Sequence, residues 1–179
     1  MYKRQLSTFK QETTDIKSNK NVYKNSDSMQ SNNITVHHAT DSDIEEVAIL
    51  FNAYREFYGK DTDLSLAKNF IHERIVEHES TILVARIQDK CVGFVQLYPF
   101  FSSVNAKRLF VLNDLFVDQD HRRKGVATSL MESAVLYARK LNYGGLILET
   151  TDDNSTAQSL YAQLGWSEEE GIKHYFLDI

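Results

Sequence analysis

The residues best suited to chemistry lie where one regular pattern gives way to another. Leu112-Asn-Asp-Leu-Phe-Val117 alternates like a strand, a polar turn follows, and Arg122-Arg-Lys-Gly-Val-Ala-Thr128 opens a helical pattern. The first amides of a helix have no intrahelical acceptor and sit at the positive end of its dipole, so they attract anions. Gly125 keeps a phosphate's approach clear where a side chain would block it. Arg122, Arg123 and Lys124 add positive charge beside the amides of Gly125, Val126, Ala127 and Thr128; a solvated turn is the other reading of the same cluster. Lys124 precedes the glycine and no GK[ST] occurs, so this is neither a Walker loop nor a GxGxxG turn, and redox and nucleotide-hydrolysing readings lose ground.

Asn154 and Tyr161 are seven residues apart, nearly two helical turns, which puts both on one helix face. Tyr161 lies between Leu160 and Leu164, so a packed core tyrosine with its hydroxyl at the rim is the alternative. Strand alternation assigns Leu112, Asp114 and Phe116 to one face and Asn113, Leu115 and Val117 to the other, with Glu149 at the end of the neighbouring strand. Asp114 and Glu149 can bind an ammonium, serve as general bases if burial raises their pKa, or be satisfied structural carboxylates. The six histidines show no HExxH or Cys/His zinc spacing, so no metal is expected.

These residues need elements to hold them. Residues 1–33 are polar and without period, which predicts a disordered or loosely ordered tail before a domain at 34–179. From residue 34 the pattern predicts a strand, then a helix capped by Asp or Ser near 41 and running to about 58. A second amphipathic segment, through Leu66, Phe70, Ile71 and Ile75, precedes strands at 81–87 and 91–98 in a hairpin, with Pro99 ending the second. A strand at 108–117, a helix at 125–141, a strand at 146–150 and a helix at 154–164 closed by Gly165 follow, with terminal strands at 166–168 and 173–177. Hairpins mixed with crossovers predict an α/β fold with a mixed sheet and helices on both faces.

The net charge is −5, and the tail holds six basic and three acidic residues, so the folded part is distinctly acidic. That disfavours a nucleic-acid partner and suits a cationic substrate. The lone Cys91 cannot form an intrachain disulfide and reads as a small buried hydrophobe. Residues 1–30 show no apolar signal-like core and no run approaches the roughly 20 apolar residues of a membrane span. The expectation is a cytoplasmic protein without a membrane partner.

Residues 34–179 resemble a GNAT-superfamily N-acetyltransferase. Arg122-Arg-Lys-Gly-Val-Ala127 matches the superfamily's Q/R-x-x-G-x-G/A pyrophosphate loop, with Ala127 where many relatives have glycine. Asn154-Ser-Thr-Ala-Gln-Ser-Leu-Tyr161-Ala-Gln-Leu-Gly165-Trp166 resembles its N-x-x-A-x-x-L/F-Y-x-x-x-G-F/W segment. The resemblance implies a central mixed sheet of about six or seven strands flanked by about four helices, and acetyl-CoA as co-substrate. It places the pyrophosphate on residues 122–128 and pantetheine against the bulged strand end at Leu115, Phe116 and Val117, the Val117 amide polarising the thioester carbonyl. It makes Asn154 a hydrogen-bond partner of the pantetheine or phosphate arm and Tyr161 the acid for the departing thiolate, with Asp114 or Glu149 aiding the amine.

Leu112-Asn-Asp-Leu-Phe-Val is similar to the L-E-D-x-F-V strand of the polyamine and diamine branch, but Asn113 replaces one acid. Tyr54, Phe57, Tyr58, Phe100, Phe101 and Ser102 either shape the acceptor pocket or pack as aromatics. The implied function is acetyl transfer to a primary amine of a small molecule by direct attack in a ternary complex, in a chain that forms a homodimer. A non-catalytic acyl-CoA-binding module, a protein N-acetyltransferase and a DNA binder using its basic tail as an arm are the alternatives.

Overall fold

The computed structural model describes residues 33–169 and 171–179. All but the last residue of the tail expected at 1–33 lies outside the described residues. The chain forms two compact units that divide between Leu148 and Glu149.

The first unit is a five-stranded sheet in the order β1 (Ile34–His38), β2 (Thr81–Ile87), β3 (Lys90–Ser102), β4 (Lys107–Val117) and β5 (Leu146–Ile147). All pairings are antiparallel except β4 with β5. Helices α1 (Ile44–Phe57) and α2 (Leu64–Val76) cover one face, where Val47, Phe51, Ala67 and Ile71 pack on Ile82, Val84, Phe94 and Phe116. Helix α3 (Val126–Lys140) contacts β1 to β4 and buries Val126, Leu130, Met131 and Ala134, one stripe at helical spacing. The second unit contains α4 (Ser155–Gln163), ended by Gly165 at φ +81° as its position predicts.

Four expectations need correction. The described residues hold five strands, not six or seven: 166–168 and 173–177 form no strand, and β5 has two residues rather than five. A strand exists only where a neighbour completes its ladder, and Tyr175, Phe176 and Leu177 are almost fully exposed. Second, β3 runs through Pro99 to Ser102. Pro99 lies opposite Phe110, whose N–H is donated to Gly145 in the direction away from β3. The Pro99 nitrogen therefore points to the other side, where β2 has already ended opposite Leu97, and no ladder bond is lost.

Third, the helical start near 41 is a 3-10 turn, Asp41–Asp43, with Thr40 at its N-cap position, and α1 begins only at Ile44 with Asp43 at its own N-cap position; the Asp43 carboxylate reaches back to accept at Oδ2 from the Thr40 N–H and hydroxyl, each at 2.9 Å. Fourth, the register of β3 with β4 steps between Gln96 opposite Asp114 and Leu97 opposite Leu112, so Asn113 is an extra residue. Leu112 consequently faces α3 with Leu115, opposite to Asp114 and Phe116, because one inserted residue reverses the alternation beyond it.

The β1, β2 and α1 elements are locked by one ionic cluster. Asp43, 3% exposed, accepts from Arg86 Nη2 at 2.9 Å and lies 3.2 Å from His37 Nε2; Arg86 also pairs with Glu46, which accepts from the Cys91 amide at 3.2 Å. Burial alone would raise the Asp43 pKa, but these donors outweigh it and lower it from 3.8 to about 2. A depressed carboxylate stabilises the fold above its unfolded pKa and loses that contribution as pH falls through the folded value. Asp43→Asn should cost about 2 kcal/mol at neutral pH. Denaturant unfolding of both proteins from pH 7 to 2 should show the difference narrowing below about pH 4.

Candidate active site

At the C-terminal end of β4 the bulge rotates the backbone into an arrangement that a regular strand lacks. Asp118 N–H donates to Val92 O at 2.9 Å, so residues 114, 116 and 118 point their amides toward β3. Leu115 and Val117 then point their N–H and C=O groups the other way, along an edge where β5 pairs only with Phe110 and Val111. Arg122 Nε donates to Val117 O at 3.0 Å and fixes this strand end to the following loop. Its guanidinium lies 5.7 Å from the Phe116 ring centre and 5.8 Å from that of Phe57.

The loop itself is built for amide donation. Arg123 at φ +58° and Gly125 at φ +85° are both left-handed. Only glycine takes that conformation at little cost, and at Gly125 conformation rather than space is the constraint, since an added Cβ would meet only Ile34 Cδ1 at 3.8 Å. Gly125 has no capping side chain, and the first intrahelical bond runs from Ser129 N to Gly125 O at 3.0 Å. The amides of Val126, Ala127 and Thr128 are therefore without an intrahelical acceptor at the positive end of a 15-residue helix, as an anion site requires. Lys124 Nζ donates back to Asp120 O at 2.8 Å, and His121 Nδ1 lies 2.7 Å from Asp118 Oδ2. Two of the three loop cations, Arg122 and Lys124, thus hold the loop's shape in addition to carrying charge.

Gly93, which sequence reasoning passed over, is what lets α3 come so close. A Cβ there would lie 2.8 Å from Phe116 O, 3.2 Å from Val126 Cγ1 and 3.3 Å from Leu130 Cδ1. A glycine inside a strand pattern was the available signal.

On the opposite face, Asp114 is 5% exposed at the bulge. Burial raises its pKa, and hydrogen bonds from Asn113 Nδ2, at 3.2 Å to each oxygen, and from Tyr54 only partly offset this. Burial and the nearby Asp114 push the Tyr54 phenol far above its usual range and that of Tyr98 to about 12, so both stay protonated. A pocket of about 440 Å³ opens over this carboxylate. Its polar lining is Tyr54, Arg55, Tyr58, Lys60, Asn113 and Asp114; Phe51, Leu66 and Phe70 supply apolar walls. Tyr54 and Tyr58 thus shape a pocket, whereas Phe100 and Phe101 are half-exposed and do not line it. Cys91 is buried and its thiol is pushed up to about 12, an inert packing residue.

The first unit brings Asp114, Leu115, Phe116 and Val117 together with Arg122, Arg123, Lys124, Gly125, Val126, Ala127 and Thr128. Glu149, Asn154 and Tyr161 belong to the second unit. There Asn154 caps α4, its Oδ1 accepting from Ala157 N at 3.2 Å, which leaves the amide NH2 as its remaining donor. Tyr161 is half-buried with its ring 6.2 Å from that of Trp166. Glu149 lies beyond the end of β5; its side chain is 73% exposed and Oε1 is 3.1 Å from His174 Nδ1, so it is not the desolvated carboxylate the sequence pattern suggested.

The profile of the acetyltransferase (GNAT) family matches residues 46–166. The chain belongs to that family. It is 43% identical over 146 residues to an uncharacterised N-acetyltransferase of Bacillus subtilis, YhfO, covering 82% of this chain and 98% of that protein. N-acetyltransferase 8 of Homo sapiens is 32% identical over 108 residues, 60% of this chain and 46% of that one. The crystal structure of a probable acetyltransferase superposes with a TM-score of 0.75 at 36% identity, covering 80% of this chain and 97% of the other. The chain is therefore an acyltransferase of a family that uses acetyl-CoA as co-substrate, and the amide-rich start of α3 fits a diphosphate.

Gly93→Ala tests how closely α3 must approach the sheet. It should destabilise the fold by about 1–3 kcal/mol in denaturant unfolding and weaken CoA binding in calorimetry, because the helix start must shift. Unchanged values in both measurements would show that α3 does not depend on that approach.

Proposed function

We propose that this acetyltransferase acts on a primary amine of a small molecule, which attacks the thioester directly while both substrates are bound. The observation that carries the reading is the buried Asp114 carboxylate in the lining of a pocket beside the splayed end of β4. An ammonium entering the pocket meets one carboxylate whose raised pKa suits it to accept a proton, directly or through water. Such help is needed because a lysine-like amine is neutral at pH 7 in only about one part in a thousand.

Acetyl-CoA, when bound, supplies the acetyl carbon to which the amine nitrogen bonds as the C–S bond breaks. The amides of Val126, Ala127 and Thr128 hold the diphosphate, and the outward N–H groups of Leu115 and Val117 orient the pantetheine and the thioester carbonyl. Tyr161 donates its phenolic proton to the departing sulfur and regains one from solvent, and Asn154 steadies the arm through its NH2 group. Per turnover an ammonium becomes an amide, the sulfur leaves as a thiol, and one proton is released.

Asp114→Asn should lower kcat/KM about a hundredfold and abolish the acid limb of the pH profile, where wild-type activity rises with pH as Asp114 ionises. Tyr161→Phe should lower kcat about tenfold or more with the Kd for acetyl-CoA unchanged. CoA release measured with a thiol reagent over a panel of amines reads both. Acetylation confined to protein lysines or N-termini would reject the small-molecule reading.

A further inference from the structure

The charges in the Asp114 pocket are not those of a site for a purely cationic amine. Arg55 and Lys60 share its wall with Asp114, and Asn113, beside Asp114, is neutral. Among the described residues Arg55 Nη1 is buried with no hydrogen-bond partner. A buried guanidinium N–H left unmatched is costly, and a carboxylate oxygen is the acceptor that matches a cationic donor best. The negative end of the α1 dipole accounts for a cation near residue 55 but does not require its nitrogen to be buried. Lys60 is held next to Arg55 because its N–H donates to Arg55 O at 3.0 Å. A diamine would bring its second ammonium toward these two cations, with Asp114 already engaged.

Resting on the reading that Asp114 receives the amine, we infer that the acceptor is an amino-carboxylate, a free amino acid or small amino-acid conjugate. Its ammonium sits at Asp114, its carboxylate at Arg55 and Lys60, and its side chain against Phe51, Leu66 and Phe70. The carboxylate takes no part in bond making; it orients the amine.

The experiment compares phenylalanine, phenylalaninamide, phenethylamine and putrescine as acceptors for the full chain, with kcat/KM expressed per neutral amine. Phenylalanine should exceed the other three by tenfold or more. Arg55→Gln should shrink the ratio of phenylalanine to phenylalaninamide toward one, chiefly through KM, and Lys60→Gln should reduce it about threefold. Unfolding curves check both variants, and the exposed Lys60 position carries the comparison if Arg55→Gln does not fold. Equal use of phenylalanine and its amide, a preference for putrescine, or a ratio that neither variant moves overturns the inference while leaving amine acetylation standing. Acetyl-CoA binding without CoA release from any of the four acceptors removes that reading and the inference with it.

Discussion

When one strand of an antiparallel ladder carries an extra residue, every side chain beyond it turns to the other face, and β4 does this at Asn113. Without the bulge, Asp114 would share the face of Leu112, and the two could not part, one toward the pocket and the other toward α3. With it, Asp114 joins Tyr54 and the pocket, and Leu112 stays among the hydrophobes. The same insertion resets which amides point at β3 and which at the splayed edge. One added residue therefore places the carboxylate and aims the Leu115 and Val117 backbone groups.

The rest of the first unit keeps that strand end where it is. Arg122 ties Val117 O to the loop, Asp118 closes the ladder onto Val92, and Gly93 lets Val126 and Leu130 settle on the sheet. The helix start that offers free amides is thereby set against the strand end that offers outward N–H groups. On the other face, α1 supplies Tyr54 and Arg55 from one helix, while Asn52 fixes the turn after it by bonding Thr62 Oγ1 at 2.8 Å and Asp63 N at 2.8 Å. The pocket over Asp114 is as much a product of α1 and its following loop as of β4.

Local chemistry was legible wherever neighbours in sequence decide it. The alternation of 81–87 and 108–117, the stripe Val126, Leu130, Ala134, the helix opening at Gly125 and the left-handed Gly165 all follow from side-chain period and backbone preference. Pairing between distant segments was not legible. Apolar alternation at 173–177 reads as a strand although no ladder partner completes it, and Pro99 reads as a stop although the strand beside it has already ended.

By itself the sequence determined the kind of fold and the glycine-led helix start that leaves amides free, because each rests on residue type at a short spacing. Only the tertiary structure decided that Asp114 is buried and Glu149 is not, that Leu112 and Asp114 part company, and that Arg55 and Lys60 share a pocket with the carboxylate. Register, burial and the meeting of charges more than 50 residues apart are properties of packed segments, and no local pattern encodes them.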